Sequence, residues 1–343
     1  MIALSRHALQ RGFIWTLVAA IWLTFQSGPL SAATFTDSAG RQVEIPAKIE
    51  RVMAAGPPAA LLLYSLAPDK LIGWPHALDG RTAALLPQRY ALLPVTGRIT
   101  GHGNTPSAEA IAALHPDIII DVGDVEPEYA TLADRIQQQT HIPYILLDGR
   151  LANTAAIYRL LGPLLEERDK GEELAAYADR VLVLLKTKTK GGMPRLYYAR
   201  GADGLSTGAV TSLTGEIIGF ANAVNVAPGE KSTMKTSLDQ IAGWNPDVIL
   251  AHDPAAYQRV TTDSAWTGLR AAKDKRVYLA PQAPFGWIDE PPGINRLLGV
   301  QWLAITLHPD AGLGDIRAIA ADFCRRFYHA NLSEAQIATL LAP

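Results

Sequence analysis

The chain has 343 residues, 48% hydrophobic and 19% charged, which describes a globular protein rather than a disordered one and suits two domains better than one core. A net charge of −2, with no like-charge block beyond the KTKTK run at 186–190, speaks against a nucleic-acid binder, which normally carries a basic face. The one cysteine, Cys324, can form no internal disulfide; in the helical pattern IRAIAADFCRRFY it reads as a small buried residue rather than a nucleophile.

At the N-terminus, Arg6 and Arg11 precede the apolar run FIWTLVAAIWLTF, and the small residues SAA follow at 31–33. This predicts a signal peptide over 1–33 with cleavage after Ala33. The apolar run is shorter than the roughly 20 residues a spanning helix needs. The arginines are not paired and no cysteine lies near the cut, so neither twin-arginine export nor lipidation is expected. The mature chain is expected in the periplasm, in solution. It opens with a hairpin, TFTDSAGRQVEIP, followed by a buried strand, RVMAAG. PPAALLLYSLA reads as a helix whose prolines fall near its start, and KLIGWP as a further strand.

Then comes PSAEAIAALHPDIIIDVG at 106–123, which returns as TSLDQIAGWNPDVILAHD at 236–253. In the first copy Ser107 is a plausible N-cap, Glu109 lies in the first turn, and Ile111, Ala112 and Leu114 face inward. Pro116 stops the helix, and DIIIDVG is a strand apolar enough to be buried on both faces of a parallel sheet. A helix, EYATLADRIQQQT, and a strand, IPYILLD, complete an alternating α/β unit over 34–152. Residues 153–192 carry no strand signal. Leu174, Ala178, Val181 and Leu185 share one face of a helix expected over 168–188, with Gly162-Pro163 and Gly171 interrupting the part before it. Alternation resumes over 193–343 with RLYYAR, the helix TSLTGEIIGFANAV, the second repeat, the strand RVYLAP and helices beyond Pro292. The predicted architecture is two doubly wound α/β lobes joined by a single long α-helix. A ligand cleft is expected between the lobes, at the carboxyl ends of the strands.

The order of these elements resembles the helix-linked, or class III, periplasmic substrate-binding proteins of ABC importers. The opening hairpin and first strand, SAEAIAALHPDIII, SLDQIAGWNPDVIL and the late segment PFGWIDEPPGINRLLGVQWLA carry the resemblance. Members bind ferric siderophores, haem, cobalamin and, in some branches, molybdate or tungstate. The resemblance implies a stiff linker, a monomer, no resident cofactor, and delivery of cargo to an inner-membrane ABC permease. It also implies an acidic docking residue on each lobe: Glu126 matches the first, while Gly219 stands at the second position with Glu216 one turn earlier.

Candidate ligand contacts come from loops after strands. Trp74 either stacks on a chelate or packs at the lobe surface. Arg98 and His102, in GRITGHGNT, precede a helix N-terminus that suits an anion; the segment is neither a dinucleotide fingerprint nor a P-loop. Tyr198, Arg200, Thr211 and Ser212 gather near RLYYAR, where a guanidinium would hold an oxyanion or take part in a salt bridge. In PFGWIDEPP, Phe285 and Trp287 are expected at the cleft, with core packing as the alternative for Trp287; Asp289 is expected to orient a nearby arginine.

No hydrolase elbow, zincin motif or cysteine pair is present, and the histidines at 76, 102, 115, 141, 252, 308 and 329 lack metal-ligand spacing. The reading is a receptor for an iron chelate, with molybdate, tungstate, haem or cobalamin as alternatives. An exported α/β hydrolase is the alternative from another class.

Overall fold

A computed structural model of the chain describes residues 33–101, 105–189, 191–229 and 233–341. The signal-peptide expectation, apart from Ala33, and His102 lie outside the described residues. The hairpin forms as read: β1 (Ala33–Thr36) and β2 (Gln42–Ile45) pair antiparallel, with Thr36 opposite Gln42. Asp37 ties it down, accepting from Arg41 Nη1 at 2.9 Å and from the Leu146 amide at 3.1 Å.

Three strands form the first parallel sheet in the order β3-β4-β5, where β3 is Val52–Ala54, β4 is Ile118–Gly123 and β5 is Tyr144–Asp148. In the second half, β6 (Arg195–Ala199), β8 (Val224–Asn225), β10 (Val248–Ala251) and β11 (Val277–Leu279) form a parallel sheet ordered β8-β6-β10-β11. The short β7 (Ser206–Thr207) and β9 (Met234–Lys235) pair antiparallel beside it. The repeated segments therefore lie in different sheets, one leading into β4 and the other into β10. Both sheets are covered on both faces: Ile118 and Ile120 join the main core, while Ile119 joins a second cluster with Met53 and Tyr144. Leu196 and Val248 likewise join the main core, and Tyr197 and Ile249 face the other way with Trp266. This is why the strands read as unbroken apolar runs.

KLIGWP does not form the strand expected of it. Leu71 and Trp74 make only isolated bridges, to Val52 and Val95, and Pro75 offers no N–H to extend a ladder. The long helix runs Arg168–Lys188, 21 residues or roughly 30 Å, with Leu174, Ala178, Val181 and Leu185 buried in the main core. Gly171 does not interrupt it. It lies in the helix's first turns, where a Cβ would stand 2.7 Å from the Tyr158 carbonyl, so glycine lets the Thr154–Leu164 helix cross at close range.

Candidate functional site

A cleft of about 650 Å³ opens between the two sheets. Its first-half wall is built by Pro57 and Pro58 after β3, Asp121 and Gly123 at the end of β4, and the loop carrying Arg98 and Thr100. That loop is fixed because the Ile99 and Thr100 amides both donate to the Ala55 carbonyl, at 2.7 and 3.1 Å. Arg98 is half-buried and makes no hydrogen bond or salt bridge among the described residues. Asp121 is buried and accepts from Thr100 Oγ1 (3.0 Å), Tyr144 OH (2.9 Å) and the Val122 amide (3.0 Å). No cation reaches it among the described residues, and burial raises its pKa.

Arg200, Leu213, Thr214 and the 282–292 loop build the second-half wall. Asp289 is the anchor, 4% exposed, taking a hydrogen bond from Tyr198 OH (2.7 Å) and one from Thr214 Oγ1 (3.0 Å). Arg200 Nε lies 3.4 Å from it, the arginine-orienting role read from the sequence. His252 Nδ1 is 2.7 Å from Tyr198 OH, and Nε2 is 3.0 Å from Glu290. With Tyr198 donating to Asp289, Nδ1–H must donate to Tyr198 and Nε2–H to Glu290, an imidazolium. Burial opposes that charge, but hydrogen bonds and attraction from Asp289 and Glu290 outweigh it and raise the pKa to about 9. Burial likewise opposes the Asp289 charge, yet His252, Arg200 and Tyr198 bring it down to about 2.

At the seam between the halves, the buried Arg296 donates through Nη1 to the Leu213 carbonyl and Glu216, each at 2.8 Å, and through Nη2 to the Gly149 carbonyl. Glu216 also accepts from the Leu151 amide. This differs from the exposed permease contact expected of Glu216, whose side chain is 14% exposed and committed inside the molecule. Glu126 is exposed at the start of the Pro127–Thr140 helix.

The other sequence candidates divide. Arg98, Arg200 and Phe285 line the cleft. Tyr198 lies behind it, holding Asp289. Thr211 and Ser212 line a separate cavity of about 390 Å³ with Asp124, Glu126 and Arg150; Ser212 caps its helix by accepting from the Gly215 amide. Trp74 is 2% exposed, its Nε1 donates to the Tyr90 carbonyl at 2.8 Å, and its ring packs on Tyr64 and Phe285, so the packing reading replaces the stacking one. Trp287 is corrected in the same way: it is 1% exposed, with Nε1 donating to the Ala283 carbonyl. Gly299 makes room for its main chain, since a Cβ there would stand 1.7 Å from the Trp287 oxygen. Sequence reasoning missed Asp121, Glu290, the His252 network and Arg296. The available signals were an aspartate inside an apolar strand and an arginine at the head of an apolar helix.

Two parallel-sheet halves with a polar-and-apolar cleft at their strand ends define a two-lobed α/β binding protein. A profile described as periplasmic binding protein matches residues 80–284, more than half of the chain. The molybdate-binding protein MolA of Haemophilus influenzae is 24% identical, over 92% of this chain and 96% of its own length. An ABC transporter solute binding protein from Sulfurospirillum deleyianum has 28% identity and a TM-score of 0.81, covering 90% of this chain and 98% of that one. Helicobacter pylori CeuE in a Ni-His complex, at 18% identity and TM-score 0.69, covering 91% of this chain and 100% of its own, shares the fold. The chain belongs to the periplasmic binding protein family and is a substrate-binding component of an ABC transporter. Among the described residues no helix is long and apolar enough to cross a membrane.

Proposed function

We propose that the cleft captures an anionic, metal-bearing organic complex of the ferric siderophore type and presents it to the permease. The observation that carries this reading is Arg98, a half-buried cation on the cleft wall with no carboxylate partner among the described residues. Around it lies space for a drug-sized ligand, with Phe285, Pro284, Leu78 and Leu213 as apolar wall. Among the described residues no group of three His, Cys, Asp or Glu side chains is placed to hold a bare metal ion. In this reading the metal arrives as part of the cargo. A hydrolase reading has less support, because no serine or cysteine lines the cleft among the described residues. Export by a cleavable signal over 1–33 and permease docking through Glu126 complete the proposal.

The similarity to MolA favours a second reading, molybdate or tungstate. A tetrahedral oxyanion wants a ring of donors. Here Pro57 and Pro58 remove two N–H groups from the N-terminus of the helix Pro57–Leu66, so that end offers no full set of backbone donors. A larger complex needs only one open guanidinium plus apolar contact.

Native mass spectrometry with metal analysis of the protein from its own periplasm tests this, followed by thermal shifts with ferric chelates, haem, cobalamin, molybdate and tungstate. A ligand at 100 times its Kd should add about 2.7 kcal/mol. Arg98→Ala should abolish the shift given by a ferric chelate. A shift with molybdate alone would replace the first reading by the second.

A further inference from the structure

Arg200 faces the cleft but is loosely held. Its Nε is 3.4 Å from Asp289, its Nη1 3.4 Å from Thr233 Oγ1, and its Nη2 3.7 Å from Glu290. Closed charge-assisted bonds of this kind run about 2.7–2.9 Å, so none of the three is closed. Glu290 is the partner able to change that. Its side chain is 59% exposed and lines the cleft, and what fixes its carboxylate is the 3.0 Å contact to His252 Nε2. His252 is itself held in place: its side chain is 8% exposed, Tyr198 OH meets Nδ1 at 2.7 Å, and the Gln282 side-chain amide donates to its carbonyl.

We propose that His252 is a positioning residue that holds the Glu290 carboxylate off Arg200 and so keeps that guanidinium open to an anionic cargo. Without the imidazole, a tethered carboxylate competes for Arg200 at an effective concentration no dilute ligand matches. Asp289 plays a different part: buried, and held by Tyr198 and Thr214, it lies 3.4 Å from Arg200 Nε and leaves Glu290 as the carboxylate free to move onto the guanidinium. The inference rests on the anionic-cargo reading, so its test has one arm with a probe anion and one without.

In the ligand-free arm, phenylglyoxal modification of Arg200 is followed by mass spectrometry in native protein, His252→Gln, Glu290→Gln and the double variant, each checked for folding by urea unfolding. His252→Gln should slow Arg200 modification about tenfold, the worth of one added charge-assisted bond, and the double variant should recover the native rate. In the binding arm, calorimetry with ferric citrate and with sodium molybdate should show about tenfold weaker binding in His252→Gln and recovery in the double variant. A His252→Gln defect that persists in the double variant overturns the proposal, since it would mean simple structural damage. Should His252→Gln not fold, Glu290→Gln alone decides: faster Arg200 modification than native means Glu290 already covers the arginine, and the proposal falls, while an unchanged rate supports it. If neither anion binds native protein yet the modification pattern holds, the positioning role stands and the anionic-cargo reading is what fails.

Discussion

The two copies of the repeat build the same scaffold and end in opposite electrostatics. In each, a serine caps the helix, Ser107 or Ser237, and an isoleucine, Ile111 or Ile241, is fully buried beneath it. In each, the aspartate after the proline takes an amide from the start of the neighbouring strand: Asp117 accepts from Arg51 N at 2.8 Å and Asp247 from Arg195 N at 2.9 Å. Those arginines reach back to carbonyls at or just past the helix end, Arg51 to Leu114 and His115, and Arg195 to Trp244. Beyond the strands the likeness stops. The first half buries Asp121 among hydroxyls with no cation among the described residues; the second buries Asp289 between His252 and Arg200. The repeat is therefore a support, and the cleft chemistry was set separately on each side.

Removing the negative charge from each carboxylate should separate them most sharply. Asp289→Asn leaves two cations facing a buried amide and should cost about 3–5 kcal/mol in urea unfolding. Asp121→Asn keeps Oδ1 as acceptor for Thr100 and the Val122 amide, turns the Tyr144 hydroxyl from donor to acceptor of the new amide, and strands no charge, so about 1 kcal/mol is expected. Equal losses would mean that Asp121 has an ionic partner after all, and the contrast between the halves would collapse.

Acidity and alkalinity should sharpen the same contrast. His252 is raised from an ordinary 6.5 to about 9, so its contribution is complete below 6.5 and disappears as pH climbs to 9. Asp289, lowered from 3.8 to about 2, contributes above 3.8 and is lost as pH falls toward 2. Asp121 is raised, so its contribution belongs to low pH and fades as pH rises through its folded value. The melting temperature of native protein should decline between pH 6.5 and 9, and His252→Gln should flatten that decline. A native curve level across the window would show that the second-half network does not hold a proton.

How much of this the sequence carried follows from what each signal depends on. Strands buried on both faces announce themselves through runs such as DIIIDVG, because all but the rare hydrogen-bonded polar position, here Asp121, must be apolar. The stiff helix was equally legible from the spacing of Leu174, Ala178, Val181 and Leu185. Loop tryptophans were not. Trp74 and Trp287 have the composition of ligand contacts, but their direction was decided by distant partners, Tyr90 for one and the bare backbone of Gly299 for the other. That Asp289 would orient some arginine was readable, though not that the arginine is Arg200, whereas His252 became meaningful only once β10 had brought it beside β6 and the 282–292 loop.

The smallest effect probes the shared scaffold. Arg51→Ala and Arg195→Ala each remove a guanidinium from carbonyls at or just past a helix end, on half-buried or exposed residues within reach of water, so each should cost about 1 kcal/mol. Because Arg51 precedes β3 and Arg195 opens β6, in separate sheets and with no common hydrogen-bond partner, the double variant should lose the sum to within about 0.5 kcal/mol. Unequal single losses would show that the two copies have diverged as supports too. A double loss well beyond the sum would mean that the two sites are energetically coupled, through the core that both sheets share with the Arg168–Lys188 helix.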